Sequence, residues 1–233
     1  MSTASTRICV FCSTVSGRSP LHLEAARSLA NALHAKDITL IYGGGTTGMM
    51  GELAKTLVAL SGPDKVHGII PKAYLSIERP QERVEDVANE ERSRNGWLAK
   101  LLPGSKKKPV DEPALLSEDV YGRITVVGDV QIRKKMMANL VAKGGPGSGF
   151  IGLSGGFGTM DELMEMVTWK QLGVHNRGVC VLNVDGFWDP LMDWMERSIE
   201  AGFVREEGRS LLVAKGTAEE CVQWLNEHDA GRS

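Results

Sequence analysis

Two carboxylates stand at the head of an apolar helical segment in this chain, directly behind a pair of glycines. The run is Leu153-Ser-Gly-Gly-Phe-Gly-Thr-Met-Asp-Glu162, and it closes the apolar segment 150–153. Glycines let a backbone turn tightly and approach a ligand closely. A helix N-terminus presents free N–H groups and partial positive charge, which suits a phosphate. The order of elements is that of a phosphate loop with a carboxylate attached. Glu162 is thereby placed to do acid, base or nucleophilic chemistry on a phosphorylated molecule. The same residues also satisfy a purely structural pattern. Thr159-x-x-Glu162 is a capping box, in which each side chain satisfies a backbone N–H at the helix start. Asp161 likewise suits a first helical turn, where the dipole favours acids.

Two further constellations bear on the choice. Tyr42-Gly-Gly-Gly-Thr-Thr-Gly48 follows one apolar run and opens another helix, and Gly43, Gly45 and Gly48 formally fit the dinucleotide fingerprint. That fingerprint belongs after a first strand, whereas this loop follows the second. The next strand ends at Ile70-Pro71 with no acid to hold a ribose hydroxyl pair. Gly43, Gly44, Gly45 and Thr46 are better explained as a second wall of one phosphate or nucleotide pocket. Arg133 and Lys134 fall in the first turn of another helix, where the dipole opposes cations. Helical spacing aligns Arg133 with Met136, Met137, Leu140 and Val141, the stripe expected to face the core. A positive charge there needs a partner, either a protein carboxylate such as Glu162 or an anionic ligand. Arginine suits a bidentate grip on phosphate or carboxylate.

These residues need a scaffold that brings loops together. Apolar strand-like runs lie at 8–12, 38–42, 66–70, 124–127, 150–153 and 179–184, with helical patterns between them. Ser19-Pro20 opens a helix running to about Leu33. Helices are also expected at 49–60, from Asp129 to about Lys143, at 160–172, 187–201 and 217–227. The segment 160–172 is apolar nearly all round, which predicts a buried helix. Alternating strands and helices predict an α/β fold: a doubly wound parallel sheet with helices on both faces, Rossmann-like. Pockets in such sheets form outside the C-terminal strand ends, where both glycine loops would sit. The whole chain, 1–233, reads as one nucleotide-binding domain. Residues 89–122, which include Lys106-Lys107-Lys108, show no periodicity and read as a surface insertion with a solvated loop tip. Residues 1–6 read as a short tail.

At 233 residues the chain can bury one large core. A hydrophobic fraction of 42% and a charged fraction of 24% belong to an ordinary globular protein. The net charge of −2 gives no general reason to expect nucleic-acid binding. No apolar run reaches the roughly 18 residues of a membrane span, and no signal-peptide pattern opens the chain, so no membrane partner and a cytoplasmic location are expected. Cys9 and Cys12 form a C-x-x-C within a strand, which sends their side chains to opposite faces. No second Cys or His pair stands at zinc spacing, so no metal is expected and the cysteines read as small buried hydrophobes.

Taken in order, these constellations resemble the LOG ("Lonely Guy") family, cytokinin riboside 5′-monophosphate phosphoribohydrolases often mislabelled as lysine decarboxylases. Ser154-Gly-Gly-Phe-Gly-Thr-Met-Asp-Glu162 resembles the family's P-G-G-x-G-T-x-x-E, and Val130-Gln-Ile-Arg-Lys134 its M-H-x-R-K. Tyr42-Gly-Gly-Gly with Gly48-Met-Met-Gly51 is similar to Y-G-G-G-x-x-G-L-M-G. Ile70-Pro71-Lys72 with Glu78, Trp169 to His175 and Leu182 to Gly186 also agree. Ser154 stands for the family's Pro, Gln131 for its His and Asp161 for a common Glu; Phe11-Cys-Ser-Thr14 follows F-C-G-S-S loosely.

The resemblance implies hydrolysis of the N-glycosidic bond of an N6-prenylated AMP, releasing free cytokinin base and ribose 5-phosphate. It implies Arg133 and Glu162 as catalytic residues. Lys134, Glu78, Gly155, Gly156, Phe157, Gly158, Thr159, Met160 and Asp161 would bind substrate, with Gly43, Gly44, Gly45 and Thr46. Glu162 would act as nucleophile or as the base that activates water. No cofactor is implied, the partner is a nucleoside 5′-monophosphate, and the chain would form a homodimer through helix 160–172. A broader AMP hydrolase and a non-catalytic nucleotide-binding module are the alternatives. Amino-acid decarboxylation usually needs pyridoxal phosphate on a Schiff-base lysine, and nothing marks such a lysine.

Overall fold

The computed structural model describes residues 4–75 and 117–230. Seven parallel strands form one sheet: β1 (Arg7–Phe11), β2 (Thr39–Tyr42), β3 (Val66–Pro71), β4 (Arg123–Val127), β5 (Gly149–Gly152), β6 (Gly178–Leu182) and β7 (Val213–Lys215), in the order β4-β3-β2-β1-β5-β6-β7. Val10 of the central strand pairs with Tyr42 on one side and Ile151 on the other. The longer helices are α1 (Leu21–Ala35), α2 (Gly48–Ser61), α4 (Val130–Ala142), α5 (Phe157–Gln171), α6 (Asp189–Glu200) and α7 (Ala218–Ala230), and α3 (Glu118–Tyr121) is a single turn before β4.

Period-two side-chain alternation sends each strand to both faces. Ile8, Val10, Leu40, Ile151 and Cys180 pack with Leu29, Leu33, Leu53, Leu57 and Leu225 of α1, α2 and α7. Cys9, Ile41, Phe150, Val179 and Val181 pack with Met137, Val141, Leu163, Met166 and Met195 of α4, α5 and α6. This is the doubly wound sheet expected. The four cysteines are free and buried, and Cys9 and Cys12 belong to opposite cores.

The order places a topological switch at β1. The chain winds outward through β2, β3 and β4, then returns to lay β5 on the other side of β1. Loops leaving β1 and β5 must therefore diverge, which opens a crevice above their C-terminal ends.

Several expectations need correction. Strand β7 was not foreseen, because three half-buried residues, Val-Ala-Lys, are too short to show a period. Helix α5 begins at Phe157, three residues early, and it buries one side only. Thr159, Glu162, Leu163, Met166, Val167 and Lys170 face inward, while Asp161, Thr168 and Gln171 are exposed. The buried stripe of α4 is Lys134, Met137, Ala138 and Val141, one position from the stripe expected, which leaves Arg133 at its edge. Ser5 and Thr6 are held rather than loose: their carbonyls accept the N–H groups of Gly145 and Thr39 at 3.0 Å each. Residues 117–122 at the end of the expected insertion belong to the fold, since Tyr42 Oη donates to the Tyr121 carbonyl at 2.9 Å; the rest of that segment lies outside the described residues. Among the described residues no helix is long and apolar enough to cross a membrane.

Beyond α5, His175 holds the chain by both ring nitrogens. Nε2 donates to the Met166 carbonyl at 2.9 Å, and Nδ1 accepts the Arg177 N–H at 3.1 Å. A carbonyl only accepts and a backbone N–H only donates, so the ring is the neutral Nε2–H tautomer. Burial pulls its pKa below the ordinary value. The unfolded ring therefore binds a proton first as pH falls. Its stabilising contribution is complete above the unfolded value of about 6.5 and is lost as pH drops below it. His67 is depressed by burial in the same direction. Thermal midpoints compared between about pH 8 and about pH 5.5 should fall more for the native protein than for His175→Gln; equal slopes would show that the ring carries no such linkage.

Candidate active site

The crevice at the switch point is a cleft of about 390 Å³, within the range of small-ligand pockets. Its walls come from six parts of the chain. Cys12, Ser13 and Thr14 follow β1, and Gly43 and Gly45 follow β2. Met50 comes from α2, while Ile70 and Tyr74 lie at and beyond the end of β3. Arg133 stands on α4, and Gly156, Gly158, Thr159 and Glu162 lie at the head of α5.

A side chain at either of two glycines in these loops would disturb the site: at Gly43 it would displace the Arg133 guanidinium, and at Gly48 it would strike backbone. A Cβ on Gly43 would lie 2.5 Å from Arg133 Nη2, and one on Gly48 (φ +57°) would fall within 2.5 Å of the Thr14 backbone. Ser13 ties the walls together: its N–H donates to the Ser154 carbonyl at 3.3 Å, and its carbonyl accepts the Met50 N–H at 3.1 Å. Thr47 Oγ1 donates to the Thr14 carbonyl at 2.9 Å. By contrast, a Cβ on Gly156 or Gly158 would meet nothing within 4 Å. These two glycines line open space at a helix N-terminus, where the first N–H groups lack intrahelical acceptors.

The capping-box account of Glu162 fails here. Gly156 occupies the N-cap and no side chain caps the helix, so Thr159 already lies in the first turn. Glu162 instead accepts a hydrogen bond from Arg133 Nη2 at 2.5 Å, with side-chain exposures of only 10% and 11%. Arg133 Nε is buried with no acceptor among the described residues. Burial raises the Glu162 pKa above the ordinary carboxyl value; Arg133 opposes this, Asp161 adds to it, Lys134 opposes it and Glu165 adds to it. The Cys12 thiol at the cleft wall is pushed far up, by burial first and then by Glu162, so it stays protonated. A carboxyl poised by burial and a countercharge is a candidate general base or nucleophile.

Of the residues singled out from the sequence, Gly43, Gly45, Arg133, Gly156, Gly158, Thr159 and Glu162 meet in this cleft. Gly44, Thr46, Gly155, Phe157, Met160 and Asp161 flank it without lining it. Gly155 packs against Thr159 so closely that a Cβ would lie 2.1 Å from Oγ1. Lys134 faces away from the cleft, toward Asp161 at 3.0 Å and Glu165 at 3.3 Å. Glu78 lies outside the described residues. Sequence reasoning missed Cys12, Ser13, Thr14, Met50, Ile70 and Tyr74. The first three had a usable signal, since the loop after the central strand of such a sheet must border the crevice.

The chain is similar to known proteins along most of its length. The family model described as "Possible lysine decarboxylase" matches residues 50–225. A probable cytokinin riboside 5′-monophosphate phosphoribohydrolase of Oryza sativa, LOGL1, is 33% identical over 95% of this chain and 79% of its own length. The cytokinin riboside 5′-monophosphate phosphoribohydrolase LOG3 of Arabidopsis thaliana is 32% identical over 95% of this chain and 82% of its own. A bifunctional cytokinin biosynthesis protein of Fusarium pseudograminearum is 43% identical over 94% of this chain, which spans only 40% of that longer protein. The molybdenum cofactor binding protein of Rippkaea orientalis matches 97% of this chain and 98% of its own with a TM-score of 0.57 at 15% identity, which shows a shared fold alone. With two glycine loops, an Arg133–Glu162 pair and relatives aligned along almost its full length, the chain belongs to the LOG family of phosphoribohydrolases.

Proposed function

We propose that the protein hydrolyses the N-glycosidic bond of cytokinin riboside 5′-monophosphates, releasing free cytokinin base and ribose 5-phosphate. The observation that carries this reading is Glu162, buried against Arg133 and opening on the cleft about one turn into a helix whose N-terminus is bare. Residues 157 to 162 rise about 7 Å along the axis, a span on the scale of a sugar phosphate. The 5′-phosphate is assigned to Gly155, Gly156, Gly158 and Thr159, with Phe157, Met160 and Asp161 shaping that turn. Gly43, Gly44, Gly45 and Thr46 form the opposite wall. Met50, Ile70 and Tyr74 give the cleft its apolar side, to which the prenylated purine is assigned.

Breaking the C1′–N bond puts oxocarbenium character on the ribose, which a nearby carboxylate stabilises. In one course Glu162 takes a proton from water as its oxygen attacks C1′. In the other Glu162 bonds to C1′ first, and water then displaces it. Either way the base leaves with a proton and the sugar gains a hydroxyl. Arg133 holds Glu162 and lines the cleft, where its charge faces the substrate. Because the chemistry needs ionised Glu162, turnover is lost as pH falls through its raised pKa.

Chromatography after incubation with isopentenyladenosine monophosphate, AMP and isopentenyladenosine tests the assignment. Free base should appear from the prenylated monophosphate and little from the nucleoside. Glu162→Gln should lower kcat about 10²–10⁴-fold, with Arg133→Ala comparable while still folded. Near-native turnover by Glu162→Gln would end the catalytic assignment.

The phosphate placement has its own test. Gly158 lies inside α5 with space around it, so Gly158→Ala should raise stability by up to about 1 kcal/mol. The same methyl should raise KM for the monophosphate; an unchanged KM would move the phosphate elsewhere.

We also propose a homodimer. Phe157 at the head of α5 is 97% exposed, and Leu172 just past its end is 71% exposed. Light scattering should give about 50 kDa, twice the 25.3 kDa chain; a monomer mass would remove this proposal.

A further inference from the structure

Two neighbouring cations on α4 meet three carboxylates on α5. Arg133 takes Glu162 at 2.5 Å, whereas Lys134 bridges Asp161 at 3.0 Å and Glu165 at 3.3 Å. The Lys134 side chain is 9% exposed, about as buried as Arg133 at 11%, against 64% for Asp161 and 20% for Glu165. Its ammonium is absent from the lining of the cleft. Asp161 and Glu165 are one helical turn apart, which puts them on a common face, with Glu162 beside them.

The surroundings of Glu162 reduce to a count of charges. From α4 it faces Arg133 and Lys134, and from its own helix Asp161 and Glu165. From the sheet side it faces Cys9 and Cys12, whose thiols burial keeps protonated. Removing Lys134 would leave two uncompensated carboxylates beside Glu162, and like charges favour the neutral acid. Despite its burial, Lys134 is held charged by its hydrogen bond to Asp161 and its ion pair with Glu165.

We infer that Lys134 is a positioning residue for the hydrolytic reaction: it bridges Asp161 and Glu165, fixes α4 against α5 and neutralises the acidic flank of Glu162 without touching substrate. This rests on the hydrolase reading above, and it replaces the substrate-binding role that resemblance implies for Lys134.

The test titrates the full-length protein, labelled with ¹³C-glutamate, by NMR in the absence of substrate. The Glu162 carboxyl signal is identified by its loss in Glu162→Gln. Lys134→Met should raise the Glu162 midpoint by about one pH unit or more, a tenfold change in proton affinity. Lys134→Arg should restore it, and so should adding Glu165→Gln to Lys134→Met. The acid limb of kcat should follow these shifts while KM for the monophosphate stays nearly constant. An unmoved midpoint in folded Lys134→Met overturns the inference, as does a raised KM with an unmoved acid limb, which would make Lys134 a phosphate ligand. If Lys134→Met does not fold, Glu165→Gln alone decides: its Glu162 midpoint should drop, and an unchanged one overturns the inference. The titration needs no turnover, so an inactive native protein refutes the hydrolase reading and leaves the midpoints interpretable.

Discussion

The contact between Arg133 and Glu162 is the constraint around which the rest of the molecule is arranged. Withdrawing a carboxylate and a guanidinium from water costs several kcal/mol per ion, and their mutual attraction repays this only in good geometry. At 2.5 Å, with both side chains about nine-tenths buried, the pair is a demand on the fold more than a source of stability. The offset comes from the turns that carry it. Fully burying one large aliphatic side chain contributes about 1.5–3 kcal/mol, and Leu163, Met166, Met137 and Val141 are all buried behind the two ions. The hydrophobic face of each helix therefore holds its charged residue in place, and a loosened α4 or α5 would lose the pair first.

The same demand explains the glycines, whose roles divide in two. A Cβ on Gly43 would push the Arg133 guanidinium aside, and one on Gly48 would strike the backbone of the β1 loop. Gly156 and Gly158 sit in open space, so protein packing does not require them, and on the proposed reading the phosphate approaches there. The two glycine-rich motifs of the cleft thus differ: one loop is packed against a cation and its neighbours, and the other is bare, as the proposed phosphate site requires.

Much of this was legible in the sequence because it depends on local pattern. Six of the seven strands, and the Asp129 cap that bonds to the N–H groups of Gln131 and Ile132 at 2.8 Å each, follow from apolar runs and cap chemistry. That Arg133 needs an anionic partner follows from a cation on a core-facing stripe, which left Glu162 and an anionic ligand both open; the structure pairs it with Glu162. What was not legible depends on tertiary choice. Nothing local tells Thr159 that Gly156, not itself, will cap α5; the start of that helix is set by where β5 ends. Tyr74 reaches the cleft by backbone path alone, and no spacing announces it. The Trp169–His175 and Leu182–Gly186 motifs are structural punctuation: His175 braces α5, and Asn183 Oδ1 accepts the Trp188 N–H at 2.8 Å.

The departures from the family pattern can be judged by position. Gln131, where relatives' pattern has His, is exposed on the outer side of α4 and outside the cleft lining. Ser154, where the pattern has Pro, is buried behind Gly155, and its hydroxyl has no hydrogen-bond partner among the described residues. Its backbone carbonyl still accepts from Ser13, a bond that proline would also make. Asp161 for Glu is the change nearest the chemistry. The shorter acid there reaches Lys134 at 3.0 Å, and the same ammonium lies 3.3 Å from Glu165. All three substitutions lie outside the cleft lining, and of them Asp161 bears on the charges around Glu162.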